Sequence, residues 1–295
     1  MEATKPTNVQ PKPQAPVKPA AAPKKADKGN KNVTSNVKGI KNASIVILIC
    51  FVIAVCFYIF VLGDGSHFKD GNNANGPLDI LGTIYKGGVI VPILQTLLLT
   101  VIVLSVERWF ALSKAGGKGN QTKFVANIKA ALNAKDINKA EQLCREQGGT
   151  VGAIVYSALG KYKEMETNTL LPKEQKLSLI QQQIEEATAL EMPSLQQNLP
   201  ICATLTTLGT LVGLLGTVIG MIKSFQALSA SGAPDSTALS TGISEALINT
   251  AFGIATAALA LISYNFYTNK IDNLTYAVDE LGFSIVNTYA QNHNA

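Results

Sequence analysis

The sequence predicts an all-α, polytopic membrane protein with four transmembrane helices and a helical cytoplasmic domain. Three observations carry that prediction. The 295 residues are 47% hydrophobic and only 15% charged, against about 25% charged in soluble domains. Four apolar segments reach the roughly 20 residues needed to cross a bilayer. The polar stretch between the second and third of them repeats its apolar residues at three- and four-residue steps, the period of a helix.

Residues 1–43 hold nine Lys against two acids, with Pro, Ala and Asn making up much of the rest. So little apolar surface predicts a disordered basic tail. Anionic lipid would attract it at about 1 kcal/mol per basic residue near the surface. Residues 44–62 (SIVILICFVIAVCFYIFVL) form the first anchor, too long and too late in the chain for a cleaved signal. Residues 63–87 are a Gly- and Asn-rich loop. Residues 88–110 contain the second transmembrane helix, with Gln95 and Pro92 near one end.

In the helical segment 111–199, Phe124, Ile128 and Leu132, then Ile137, Ala140, Leu143 and Cys144, fall on one face. The pattern restarts after the pair Gly148–Gly149, and Pro172 opens a last helix carrying Leu177, Ile180, Ile184, Ala187 and Leu190. Pro193 and Pro200 are expected kinks. The third transmembrane helix is expected over 200–224, a connection over 225–240, the fourth transmembrane helix over 241–267 and a C-terminal tail over 268–295. Lys and Arg cluster in the N-terminal tail and in 107–199, which holds twelve of them. The positive-inside rule therefore places both termini and the helical segment in the cytoplasm, and both short connections outside. Lys223 is placed where it would snorkel to a surface.

Catalytic constellations are absent from the pattern. Two histidines, four scattered cysteines and no phosphate-binding loop exclude the usual metal, nucleophile and nucleotide motifs. No enzyme activity, metal, cofactor or nucleic-acid partner is expected. What stands out instead is polar residues inside apolar helices. On the third transmembrane helix Thr206, Thr210, Gly213, Thr217, Gly220 and Ser224 share one line, beside a ridge carrying Gly209 and Gly216. Gly209–Gly213 and Gly216–Gly220 are small-xxx-small pairs that let helices approach closely. On the fourth, Glu245, Asn249, Phe252, Thr256 and Ser263 share a face, and Thr250 lies off it. A charge at a helix centre costs about 2.5–3.5 kcal/mol on insertion scales and usually faces a bundle interior or a wet cavity. The residues alone leave three roles open for Glu245: conduction, a structural hydrogen bond, or snorkelling. For the threonines they leave either a polar path or bonding back to their own helix.

The strings GLLGTVIGMIKSFQAL (213–228) and GISEALINTAFGIATAALALISYNF (242–266), with the 28-residue interval from Thr217 to Glu245, resemble the two signature helices of the ExbB/TolQ/MotA proton-channel family. The likeness is nearer to ExbB and TolQ than to MotA, and covers about residues 88–270, including the pair Glu107–Arg108. It implies a homopentameric channel in the bacterial inner membrane around an ExbD-like single-span partner that carries the proton-binding Asp. That complex would drive a TonB-like protein and so energise transport across the outer membrane. The resemblance maps Thr217, Glu245 and Thr250 onto the pore lining, with Thr206, Thr210, Asn249 and Thr256 as further polar candidates and Gly209, Gly213, Gly216 and Gly220 as packing positions. Two features depart from the pattern: Thr210 stands where many relatives have Pro, and an extra anchor precedes the usual three helices. A TolQ-like role in envelope maintenance and a non-conducting scaffold are the alternative readings.

Overall fold

The computed structural model describes Gly39, residues 42–73, 75–230 and 236–293. The expected basic tail therefore lies almost wholly outside the described residues, as does 231–235 of the expected connection. Among the described residues four helices are long and apolar enough to span a membrane, and the chain is an all-helical, multi-pass membrane protein.

Helix α1 (Ala43–Phe57) ends in a π-helical turn, Tyr58–Leu62, closed by Gly63 N–H donating to the Tyr58 carbonyl at 3.0 Å. It buries only a narrow stripe, Ala43, Val46, Cys50 and Ala54, and those small or branched residues let it lie close against α3. Its remaining large side chains, such as Leu48, Phe51 and Phe60, are exposed, as suits a helix facing hydrocarbon.

The following loop folds into a compact cap. Asp64 accepts from Ser66 N–H at 2.9 Å, Phe68 is buried, and Phe68 pairs with Pro77 in an isolated β-bridge. Asp79 caps the short helix α2 (Ile80–Tyr85) by accepting from Gly82 N–H at 2.8 Å, and its other carboxylate oxygen meets His67 Nδ1 at 2.7 Å. The Gly82 bond holds the Asp79 carboxyl below its ordinary range. Tyr85 stacks on Tyr58 at 4.7 Å, and the Tyr58 hydroxyl donates to the Tyr85 carbonyl at 3.0 Å. The cap is thereby tied to α1.

Helix α3 (Ile90–Ala115) crosses the membrane and continues into the helical domain, where Ala111, Leu112 and Ala115 enter the core. That domain is built from α4 (Gln121–Asn133), α5 (Ile137–Gln147), α6 (Gly149–Thr167) and α7 (Lys173–Gln196). The periodic stretch 124–147 is two helices. Lys135 takes a positive φ of 58° and Asp136 caps α5 by accepting from Lys139 N–H at 2.9 Å. Gly148 and Gly149, at φ 60° and 68°, make the turn into α6, a conformation natural only to glycine. Pro193 lies inside α7, and the chain breaks between the two prolines, at Asn198 with φ 65°. Helix α8 (Leu199–Ala230) follows.

Helix α9 (Ser236–Asn292) is continuous over 57 residues, about 85 Å at 1.5 Å per residue and far longer than a bilayer core of about 30 Å. Residues 268–292, read from sequence as a tail, are its second half. They bury Ile271, Leu274, Val278, Leu281, Ile285 and Tyr289 in the core of the helical domain. The Tyr289 hydroxyl donates to the Met165 carbonyl at 2.9 Å. The three- and four-residue spacing runs on past residue 267 without a capping signal after the apolar segment.

Cys144, fully buried in this core, has its thiol pushed up to about 12 by burial, with Glu141 adding to the effect. Thiolate formation is therefore suppressed in the folded state. Iodoacetamide at pH 8.5 is expected to leave Cys144 unmodified until denaturant is added, as peptide mass spectrometry would show. The stability this burial confers is present below the unfolded thiol range and is lost as pH rises from about 9 towards 12.

Candidate functional site

Helices α8 and α9 pack antiparallel through their small residues. A Cβ placed on Gly209 would lie 3.1 Å from the Gly253 carbonyl oxygen, and one on Gly213 would lie 3.1 Å from Gly253 Cα. At Gly216 it would run into the Asn249 side chain, and at Gly220 it would sit 2.7 Å from the Gly242 carbonyl oxygen. At each of these four glycines a side chain would meet the facing helix, so their smallness lets the two backbones lie close.

Against this seam, α9 turns one polar face inward. Glu245 is 4% exposed, and Asn249 and Thr256 are fully buried. Glu245 Oε1 accepts from Lys223 Nζ at 2.6 Å. Lys223 sits on α8 seven residues after Gly216, on the same side of that helix; instead of leaving the protein for a surface, its ammonium reaches the carboxylate. Half of the Lys223 side chain remains exposed, so the pair joins a sealed carboxylate to a cation open to its surroundings.

The turn before α3 closes over the same spot. Asn249 Nδ2 donates to the Gly87 carbonyl at 3.0 Å. Gly88 has φ 76°, and a Cβ there would lie 2.5 Å from Glu245 Oε1. Tyr58 at the end of α1 lies within electrostatic reach of the same carboxylate. Gly88→Ala is expected to cost about 1–3 kcal/mol through its left-handed backbone and to push Glu245 off Lys223. A lowered melting temperature in detergent would be the measurement.

The threonines separate into two sets. Thr256 is buried and donates to the Phe252 carbonyl at 2.8 Å. Thr217 and Thr250 are half-buried, donating to the Leu214 carbonyl at 2.6 Å and the Ala246 carbonyl at 3.2 Å. Thr206 is half-buried and Thr210 exposed, and they donate to the Cys202 and Thr206 carbonyls at 3.3 Å each. Every hydroxyl proton bonds back to its own helix, and each oxygen keeps acceptor capacity for a water or another donor. Thr250 follows Asn249 by one residue, about 100° round the helix, which is why it lies at the partly open edge of the seam. Glu245, Asn249 and Thr256 are therefore brought together inside the chain, whereas Thr210, Thr217 and Thr250 lie on or beside its open side.

Sequence reasoning missed Lys223, Tyr58 and the Gly87–Gly88 turn as neighbours of Glu245. Lys223 was legible in principle, because it extends the Gly216–Gly220 ridge that faces α9.

A second buried charge lies at the other end of the transmembrane helices. Arg108 has no exposed surface. Its Nε and Nη2 donate to the two oxygens of Glu107 at 2.6 Å each. Its Nη1 donates to the Ser194 and Leu195 carbonyls at 3.4 and 3.3 Å, groups left without helical partners where α7 ends.

Fold and site together define an all-helical membrane protein whose last two transmembrane helices are joined at a glycine seam holding an acid–base pair. Residues 152–280, which contain that seam, match the model of the MotA/TolQ/ExbB proton channel family. It is 35% identical over 86 residues to a putative ExbB-like biopolymer transport protein of Synechocystis, a match covering 28% of this chain and 41% of that one. It is 23% identical over 187 residues to the Tol-Pal system protein TolQ of Pseudomonas aeruginosa, covering 62% and 81%. With the biopolymer transport protein ExbB of Pseudomonas putida the identity is 25% over 191 residues, covering 64% and 56%. The chain thus spans well under two thirds of two of these relatives.

Proposed function

We propose that this chain is the channel subunit of an ExbB–ExbD-type inner-membrane motor that uses the proton motive force to energise TonB-dependent outer-membrane transport. Five copies would surround the single-span helices of an ExbD-like partner, whose Asp takes and releases the proton. The N-terminus, the helical domain and the end of α9 would be cytoplasmic, and the cap before α3 periplasmic. The observation that carries this reading is the seam itself. Half-buried hydroxyls of Thr217 and Thr250 border its open side, with the Lys223–Glu245 pair beside it on the same helices.

In this mechanism Thr217 and Thr250 offer oxygen atoms to water and to the partner's carboxyl, making a short wet stretch in an otherwise apolar wall. Glu245 does not need to release its own proton. Held by Lys223, Asn249's neighbouring turn and the tight packing, it fixes the local field beside the path. A path polar at so few points stays closed until the partner's carboxyl arrives, which prevents the gradient from leaking away. Each proton crossing 100 mV releases about 2.3 kcal/mol, so a few suffice to shift packed helices past one another.

The test is proton uptake into proteoliposomes holding this chain with its single-span partner. Thr217→Val is expected to lower flux about fivefold, the worth of one hydrogen bond of about 1 kcal/mol, with normal co-purification. Wild-type flux in Thr217→Val would refute the path. The alternative is a TolQ-like role, since relatives bearing the names TolQ and ExbB match this chain over similar lengths. Growth on siderophore-bound iron, against detergent sensitivity of the envelope, separates the two roles in a strain lacking this chain.

A further inference from the structure

Away from the seam, α3 and α9 share a face that ends in an aromatic pair and a cation. Ile102, Val106 and Trp109 follow one another at helical steps along α3, and Ile262, Phe266 and Lys270 do so along α9. The first five are exposed and Lys270 is half-buried. The Trp109 and Phe266 rings stack between the two helices, with centroids 6.1 Å apart and planes 8° from parallel. Lys270 Nζ lies over the Trp109 ring, 5.4 Å from its centroid. One residue beyond Phe266, the Tyr267 hydroxyl donates to the Ser105 carbonyl at 2.5 Å, which fixes the two helices side by side at this level. Ile262 and Phe266 lie about 120° and about 160° round α9 from Thr250, so this face is separate from the open side of the seam.

We propose that this face binds an anionic phospholipid, its phosphate held by Lys270 beside the Trp109 ring and its acyl chains laid along Ile102, Val106 and Ile262. Lys270 is the first charged residue of α9 after Glu245. The helix rises about 37 Å between the two, so Lys270 stands where a hydrocarbon core of about 30 Å has ended and headgroups begin. Tryptophan is the residue whose ring settles at that level. Lys270 forms no ion pair with a described residue. The ring beneath it fixes where the ammonium sits and leaves its protons for an oxygen acceptor outside the protein. A zwitterionic headgroup carries its own cation next to the phosphate, which competes with Lys270. An anionic headgroup has no such cation, so its charge is met by the lysine.

The experiment uses the full chain, purified in detergent and stripped of lipid, with dioleoylphosphatidylglycerol and dioleoylphosphatidylcholine as probes and retention read by native mass spectrometry. The acyl chains are the same, so only the headgroup differs. The wild type is expected to retain phosphatidylglycerol about fivefold better, and Lys270→Gln to bring it down to the phosphatidylcholine level. Phosphatidylcholine retention, unchanged in the variant, reports that the apolar face still forms. Lys114→Gln removes the same charge about 140° round α3 from Trp109 and is expected to keep the preference. Equal retention of the two lipids by the wild type would overturn the proposal. A preference that survives Lys270→Gln, or one lost equally in Lys114→Gln, would overturn it as well. Failure to retain either lipid would mean that a second copy of the chain covers the face, and would also overturn it.

Discussion

Arg108→Leu is expected to destabilise the protein by about 3–5 kcal/mol, the usual consequence of removing one partner from a buried ion pair. The reason lies in what the guanidinium leaves behind. Glu107, with its side chain 11% exposed, would keep a carboxylate whose main neutralising partner is gone. The Ser194 and Leu195 carbonyls at the end of α7 would lose the N–H groups that now satisfy them. Arg108→Lys is expected to fail nearly as badly, because one ammonium cannot make the two parallel bonds to Glu107 and also reach α7. The double variant Glu107→Leu/Arg108→Leu is expected to recover part of the loss, since a buried pair exchanged whole for apolar side chains is often neutral. It cannot recover all of it, because the two carbonyls remain unpaired. Melting of the detergent-solubilised protein, with yield of folded material as a second readout, would order the variants. A single leucine variant as stable as the wild type would show that Arg108 is not the strut between α3 and the α7–α8 break.

This position shows why parts of the molecule were legible in the sequence and others were not. A long apolar run must satisfy its backbone within itself and so declares a helix, and all four transmembrane helices were readable on that ground alone. The glycines of α8 were readable for a similar reason, because small residues at four-residue spacing have one common use in lipid. Local breaks were harder. Nothing in the apolar spacing marks the positive φ of Lys135, which divides α4 from α5, although Asp136 is a residue suited to a cap. The continuation of α9 past residue 267 was hidden by the change from a lipid-facing to a core-facing pattern inside one helix. At the site, periodicity groups Glu245 with Asn249 and Thr256, all three buried, and sets apart the half-buried Thr250. It gave no view of which neighbour the face would meet. Lys223, Gly88 and Tyr58 come from three other elements, and contacts between elements have no period.

The same contacts make the second large prediction. Glu245→Gln is expected to leave assembly intact, since the amide is nearly the same shape and Lys223 is half exposed and can turn outward. Proton flux is expected to fall at least about tenfold, equivalent to about 1.4 kcal/mol of electrostatic stabilisation lost beside the path. Lys223→Met should behave differently. It strands a carboxylate that is only 4% exposed, and a buried charge without its partner works against the packing of the α8–α9 seam. Reduced recovery of the assembled complex is therefore expected from the single lysine variant. Joining the two changes tests the pairing directly: Glu245→Gln/Lys223→Met should assemble as well as the wild type and still fail to conduct. That pattern, assembly restored with flux absent, follows only if the carboxylate matters for conduction and the lysine matters through the carboxylate. A scaffold that uses its polar residues for packing alone would lose both properties together or neither.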